Sequence, residues 1–242
     1  MPFQFSFFSK ITLSKQVLIS FVVVAIAVVY CPQGFCIKPL HLLAVSGDPF
    51  DWIFAALPLF LLGVVHTLFV LVKNRENEAL YVYPKKILVD GLFDSWYHGV
   101  SEEVVYRWLF VLSGIIFLKL LDFLFFGWLG FGFLKWIFSD LILPAANALT
   151  LGSLSSVFFH SAGWYIGAVA LISSALFAEG HRYLGILGYA NSWIGSLYFF
   201  WILFSFGLPI AIMVHILYDA MVHVIIYRYV VRWSPFAKAK QT

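Results

Sequence analysis

Residues 52–72 read WIFAALPLFLLGVVHTLFVLV, a run without a charged residue, whose only irregularities are Pro58 and His66. A hydrocarbon layer of ~30 Å is crossed by about 20 apolar residues in a helix, and this run has that length. Similar runs fill the chain on either side: 17–37, a third from near His98 through GIIFLKLLDFLFF, then 123–146, 147–163, 164–187, 192–206 and 208–227. The predicted fold class is therefore all-α, a polytopic transmembrane helical bundle of about eight membrane helices. Composition agrees. Of 242 residues, 62% are hydrophobic and 11% charged, and the mean hydropathy is +0.94, which leaves too little polar surface to cover a water-soluble domain of this size.

The net charge of +3 comes from 15 basic and 12 acidic residues. The basic ones gather in a few connections and at the chain ends, a topology signal that points to no nucleic-acid partner. The most polar stretch, 73–97, carries Lys73, Arg75, Lys85 and Lys86 and is placed as a cytoplasmic loop. Arg228, Arg232, Lys238 and Lys240 put the C-terminus on the same side as Lys10 and Lys15, so both termini are expected in the cytoplasm and the number of crossings is even. Residues 17–31 are read as a signal anchor, because Tyr30, Cys31 and Pro32 make a poor cleavage site. Cys31 and Cys36 either close a small disulfide loop in an oxidising compartment or serve as small apolar residues at an interface. Lys119 and Asp122, three apart, read as a solvated pair at a membrane edge. The chain divides into N-terminal membrane helices and a cytoplasmic loop (1–97), a core (98–232) and a basic tail (233–242).

Ionisable residues within membrane segments are costly and normally mark function. Three places carry them. In SEEVVYRWLF (101–110), Glu103 and Arg107 stand four apart and can pair along a helix. Glu102 is turned about 100° away, with only His98 as a basic neighbour at helical spacing, so it is the charge left over for chemistry. In LGSLSSVFFHSAGW, His160 shares a segment with Ser153, Ser155 and Ser156. In MVHILYDAMVH, His215, Asp219 and His223 recur every four residues as one stripe, which must meet polar groups on another helix. A lone histidine in an apolar segment is more often a hydrogen-bonded core residue, and His66 and His181 are read so. A carboxylate in a low-dielectric pocket has its pKa raised and suits proton abstraction from water, with histidines to orient that water or hold an oxyanion.

These residues resemble the three ordered motifs of the CAAX prenyl endopeptidase and bacteriocin-processing family of intramembrane proteases: E-E-x-x-x-R, F-x-x-x-H, and H-x-x-x-N or H-x-x-x-D. Glu102, Glu103 and Arg107 match the first, and His215 and Asp219 the third. His160 matches the second in part, since Ser156 stands where the family has phenylalanine. The resemblance spans roughly residues 98–223. It implies an intramembrane endopeptidase acting on a peptide or membrane-protein substrate, with Glu102 activating water and His160 helping to hold it. Glu103 and Arg107 would be an orienting ion pair, and His215 and Asp219 would stabilise the oxyanion or position the carbonyl. No cofactor is certain. His160, His215 and Glu102 would suffice as ligands of a divalent metal such as zinc, although there is no H-E-x-x-H helix.

Two other readings stand beside the protease: a family member without catalysis, acting as a membrane partner or immunity protein, and a proton-coupled transporter. Depth raises a difficulty for any shared site. Measured from Arg228, Asp219 lies roughly 13 Å and His215 roughly 20 Å into the layer, whereas Glu102 lies only about 9 Å past Trp96.

Overall fold

A computed structural model describes residues 42–74, 84–125, 127–130, 132–149 and 164–233, together with residues 18, 22 and 25. Every regular element among them is helical. In chain order these are α1 (Pro49–Lys73), α2 (Pro84–Glu102), a π-helical segment (Glu103–Leu109), α3 (Phe110–Leu124), a short α4 (Phe133–Trp136), a second π segment (Ile137–Ile142), α5 (Leu143–Leu149), α6 (Trp164–Gly180), α7 (Gly185–Phe206) and α8 (Leu208–Trp233). Short 3-10 turns at Gly127–Leu129 and Arg182–Leu184 join α3 to α4 and α6 to α7.

Four helices among the described residues are long and apolar enough to cross a membrane: Pro49–Lys73, Leu88–Leu124, Arg182–Phe206 and Leu208–Trp233. The outer face of α1 is compatible with contact with lipid. Phe50, Phe54, Leu61, Val65 and Val72 stand exposed along one stripe, an apolar patch that water would not tolerate. The expected segments 17–37 and 147–163 lie largely or wholly outside the described residues, as do Cys31, Cys36, Lys10, Lys15, Arg75, Lys238 and Lys240. The 123–146 stretch is not one straight crossing: Gly130, at a positive φ of 81°, takes a conformation that glycine adopts without strain, and a π segment interrupts the helix beyond it.

The largest departure from expectation is the polar stretch before His98. From Pro84 onward it is helix, and Leu88–Leu124 forms one continuous run of 37 residues. At about 1.5 Å per residue this is roughly 55 Å long, more than the layer is thick, so it tilts or projects beyond it. The most extensive helix packing among the described residues joins α2 to α8. Small residues every fourth position on α2 permit it. A Cβ on Gly99 would lie 2.6 Å from the Ile216 side chain, and one on Gly91 would strike the His223 ring. Ser95 between them is buried and turns its hydroxyl back to Gly91 O at 2.6 Å. Gly91 opposite His223 and Gly99 opposite Ile216 also fix the two helices as antiparallel. Residues 97 and 98 are consecutive in α2, so the core begins upstream of them.

Behind this seam lies an apolar core from α3, α6, α7 and α8, including Val111, Leu112, Ala168, Phe200, Leu203 and Val214. Asp48 caps α1, accepting from the amides of Phe50 at 2.8 Å and Asp51 at 3.0 Å. Tyr198 on α7 donates to Ala55 O at 2.6 Å, within the turn that Pro58 loosens by lacking an amide hydrogen. Asp122 is held from across the bundle, accepting from the Tyr165 hydroxyl at 3.2 Å. Lys119 Nζ lies 5.6 Å from the centre of the same ring. The two are therefore tied to α6 and do not stand as an isolated solvated pair.

Candidate functional site

The site forms where α2 passes into the first π segment and faces the middle of α8. In that segment the backbone bonds step five residues, as in Phe110 N–H to Val105 O. The segment is also clamped from outside, because Ser173 on α6 donates to Tyr106 O at 2.6 Å. Such π turns accumulate at functional positions, where the widened turn redirects side chains.

Glu103 and Arg107 lie within it, both with fully buried side chains, and Arg107 Nη1 is 3.1 Å from Glu103 Oε1. Their alignment is that of a charge contact and not of a good hydrogen bond, since the guanidinium nitrogens and Glu103 Oε2 have no hydrogen-bond partner among the described residues. Aromatic faces supply the rest of the cation's surroundings. Arg107 Cζ is 4.3 Å from the Phe177 ring centre, 5.3 Å from that of Phe199 and 6.0 Å from that of Phe200. Desolvated stacking of this kind is among the stronger cation–π arrangements.

Glu103 has a second partner, 112 positions away in the chain. His215 Nδ1 donates to Glu103 Oε1 at 2.6 Å, and Phe199 stacks on the imidazole at 4.6 Å. A carboxylate can only accept, so Nδ1 carries the proton and Nε2 is the nitrogen turned to the site. Nε2 lies 3.7 Å from Glu102 Oε2 and 3.6 Å from Asp219 Oδ2. Both distances exceed a direct hydrogen bond. They suit groups that share a solvent molecule seated beside them.

Glu102 is held loosely in comparison. His98 Nδ1 is 3.5 Å from Glu102 Oε1, and the Glu102 side chain keeps 19% exposure. The stripe His215, Asp219, His223 thus meets a second stripe, Asp94, His98, Glu102, also spaced by four. His98 lies in electrostatic reach of Asp94 and Asp219, and His223 of Asp94, Asp219 and His98. In antiparallel register each carboxylate faces an imidazole.

The depth difficulty disappears with this packing. Counted from Lys86, near the start of α2, Glu102 lies roughly 24 Å along, and His215 lies roughly 20 Å from Arg228. Trp96 was the wrong reference because it sits within a helix already packed on α8.

The structure therefore brings Glu102, Glu103, Arg107, His215 and Asp219 together. His160, with Ser153, Ser155 and Ser156, lies outside the described residues. His181, just past the end of α6, lies 4.5 Å from the Phe177 ring in a tilted arrangement and donates from Nδ1 to Phe177 O at 2.9 Å.

A zinc site needs three protein donors about 2.0–2.3 Å from one point. Among the described residues no group of three His, Cys, Asp or Glu side chains is placed to hold a metal ion, and His215 Nδ1 is already taken by Glu103. The expected set of His160, His215 and Glu102 has only two of its members here. Scans of the chain against family models, curated proteins and solved structures return no match.

Proposed function

We propose that this chain is an intramembrane endopeptidase of the CAAX prenyl endopeptidase and bacteriocin-processing type, multi-pass with both termini in the cytoplasm, and that Glu102 is its general base. The supporting observation is the convergence on His215 Nε2 of Glu102 and Asp219, with the Glu103–Arg107 pair buried behind the ring. Water beside Nε2 gives a proton to Glu102 as its oxygen bonds to the scissile carbonyl carbon. Glu102 then passes that proton to the departing nitrogen as the C–N bond breaks. Glu103 fixes the His215 tautomer and ring angle, a positioning role, and Arg107, 3.1 Å from the oxygen that accepts from His215, holds Glu103 in place. Asp219, 3.6 Å from His215 Nε2, acts in its protonated form and donates to the oxygen of that water. The second histidine of the motif set is His160, with His181 as an alternative, because Phe177-Ala178-Glu179-Gly180-His181 carries the F-x-x-x-H spacing that Ser156–His160 lacks.

A transporter would need the polar path to continue. Past Glu103, Arg107 and His215 no other charged side chain is buried among the described residues; the buried polar groups on α6 and α7 are serines such as Ser173, Ser174 and Ser196, set among Leu109, Val111, Leu112, Val214 and Ala211. A polar path closed at one end suits a reaction chamber better than a carrier.

The test is turnover of a peptide panel, prenylated peptides included, by purified protein in proteoliposomes. Glu102→Gln is expected to lower turnover by about 10²–10⁴-fold, with stability within about 0.5 kcal/mol of the parent. A Glu102→Gln protein that cleaves like the parent removes the mechanism.

A further inference from the structure

A hydrolytic site roughly 20 Å below the membrane surface must be supplied with water, and residues outside the motif set mark the route. Asp94, His98 and His223 belong to none of the motifs. They continue the two stripes from the site toward the ends of α2 and α8 that carry Lys86 and Arg228. Exposure falls along the α2 stripe from Asp94 to Glu103, and on α8 from Asp219 to His215. Asp94 is exposed, the side chains of His98, Asp219 and Glu102 keep 43%, 27% and 19%, and those of His215 and Glu103 keep 5% and 0%. Partly exposed carboxylates and imidazoles at this depth cannot face lipid without a large desolvation cost. Gly91 and Gly99 bring the helix backbones close enough for the two stripes to interleave, while the opposite face of α2 presents Phe93, 70% exposed, to the surroundings.

We infer that the seam between α2 and α8, lined by Asp94, His98, Asp219 and His223, is the aqueous entrance to the site and opens on the basic face of the membrane. The inference rests on the proposed hydrolytic role of Glu102 for its purpose, but its geometry can be tested without any activity. Water entering at Asp94 meets His98 and Asp219 in turn before it reaches Glu102 and His215. His98 has a positioning role here, holding Glu102 toward the channel.

The experiment is labelling of single cysteines in inside-out and right-side-out membrane vesicles with a charged, membrane-impermeant methanethiosulfonate. Cys31 and Cys36 are replaced by serine, and Asp94→Cys, His98→Cys and Phe93→Cys are compared. Thiols react as thiolates, which form only where wet, so the two seam positions are expected to label at least about tenfold faster than Phe93→Cys, and only from the face bearing Arg228. Asp94→Cys, at the exposed end, keeps the test valid where His98→Cys folds poorly. Seam cysteines that react no faster than Phe93→Cys, or only from the opposite face, overturn the entrance while leaving the peptidase result untouched. Fast seam labelling in a protein that cleaves no peptide keeps the entrance and removes the peptidase.

Discussion

The two ends of the α2–α8 seam are built from the same residue types and do opposite things. At the closed end, Glu103, Arg107 and His215 touch at 2.6–3.1 Å with almost no exposure. At the open end, Asp94, His98 and Glu102 stand further from their partners and remain partly exposed. Buried charge contacts hold geometry, because their components cannot be satisfied any other way. Half-exposed groups are free to exchange partners with water. Two glutamates adjacent in sequence therefore come to differ, Glu103 sealed between two close partners and Glu102 partly exposed beside looser ones.

Breaking the closed end should have the largest effect. Arg107→Met leaves Glu103 as an uncompensated buried charge and should cost about 3–5 kcal/mol, read as a lowered unfolding midpoint in mild detergent. Glu103→Gln should lose stability as well as activity, unlike Glu102→Gln. An Arg107→Met protein as stable as the parent would mean that the pair is not buried as described. An intermediate effect is expected from the seam itself. Gly99→Ala forces its new methyl onto Ile216 and should cost about 1–3 kcal/mol, measured the same way, and little change would show that α8 does not press on α2 there. The smallest effect belongs to the open end. Asp94→Asn should change stability by no more than about 0.5 kcal/mol, and a larger loss would move Asp94 from the entrance into the structural core.

The stripes were legible before any coordinates, because a four-residue spacing on a helix is a local matter. His215, Asp219 and His223 were recognised in this way, and Asp94, His98 and Glu102 carry the same signal. His98 was noted as the helical neighbour of Glu102, but Asp94 went unread because the segment before His98 was taken for a loop on the strength of its lysines. Gly91, Ser95 and Gly99 could have corrected that, since small residues at this spacing are how membrane helices approach closely. The Glu103–Arg107 pairing was legible for the same local reason. The bond from Glu103 to His215 was not, nor the aromatic cage around Arg107, whose rings come from α6 and α7. The π turn has no signature in EVVYR, and it is met from outside by Ser173.

By itself the sequence determined the helical nature of this protein, that several of its helices are long and apolar enough to cross a membrane, and which faces of two helices are polar. All of these follow from composition and from a period of 3.6 residues, which depend on near neighbours along the chain. Only the tertiary structure decided which glutamate is sealed and which stays partly exposed, and that Glu102 and His215 lie at one depth. Those outcomes depend on which groups displace water or lipid from one another across separations such as the 112 residues between Glu103 and His215, and no local spacing encodes that.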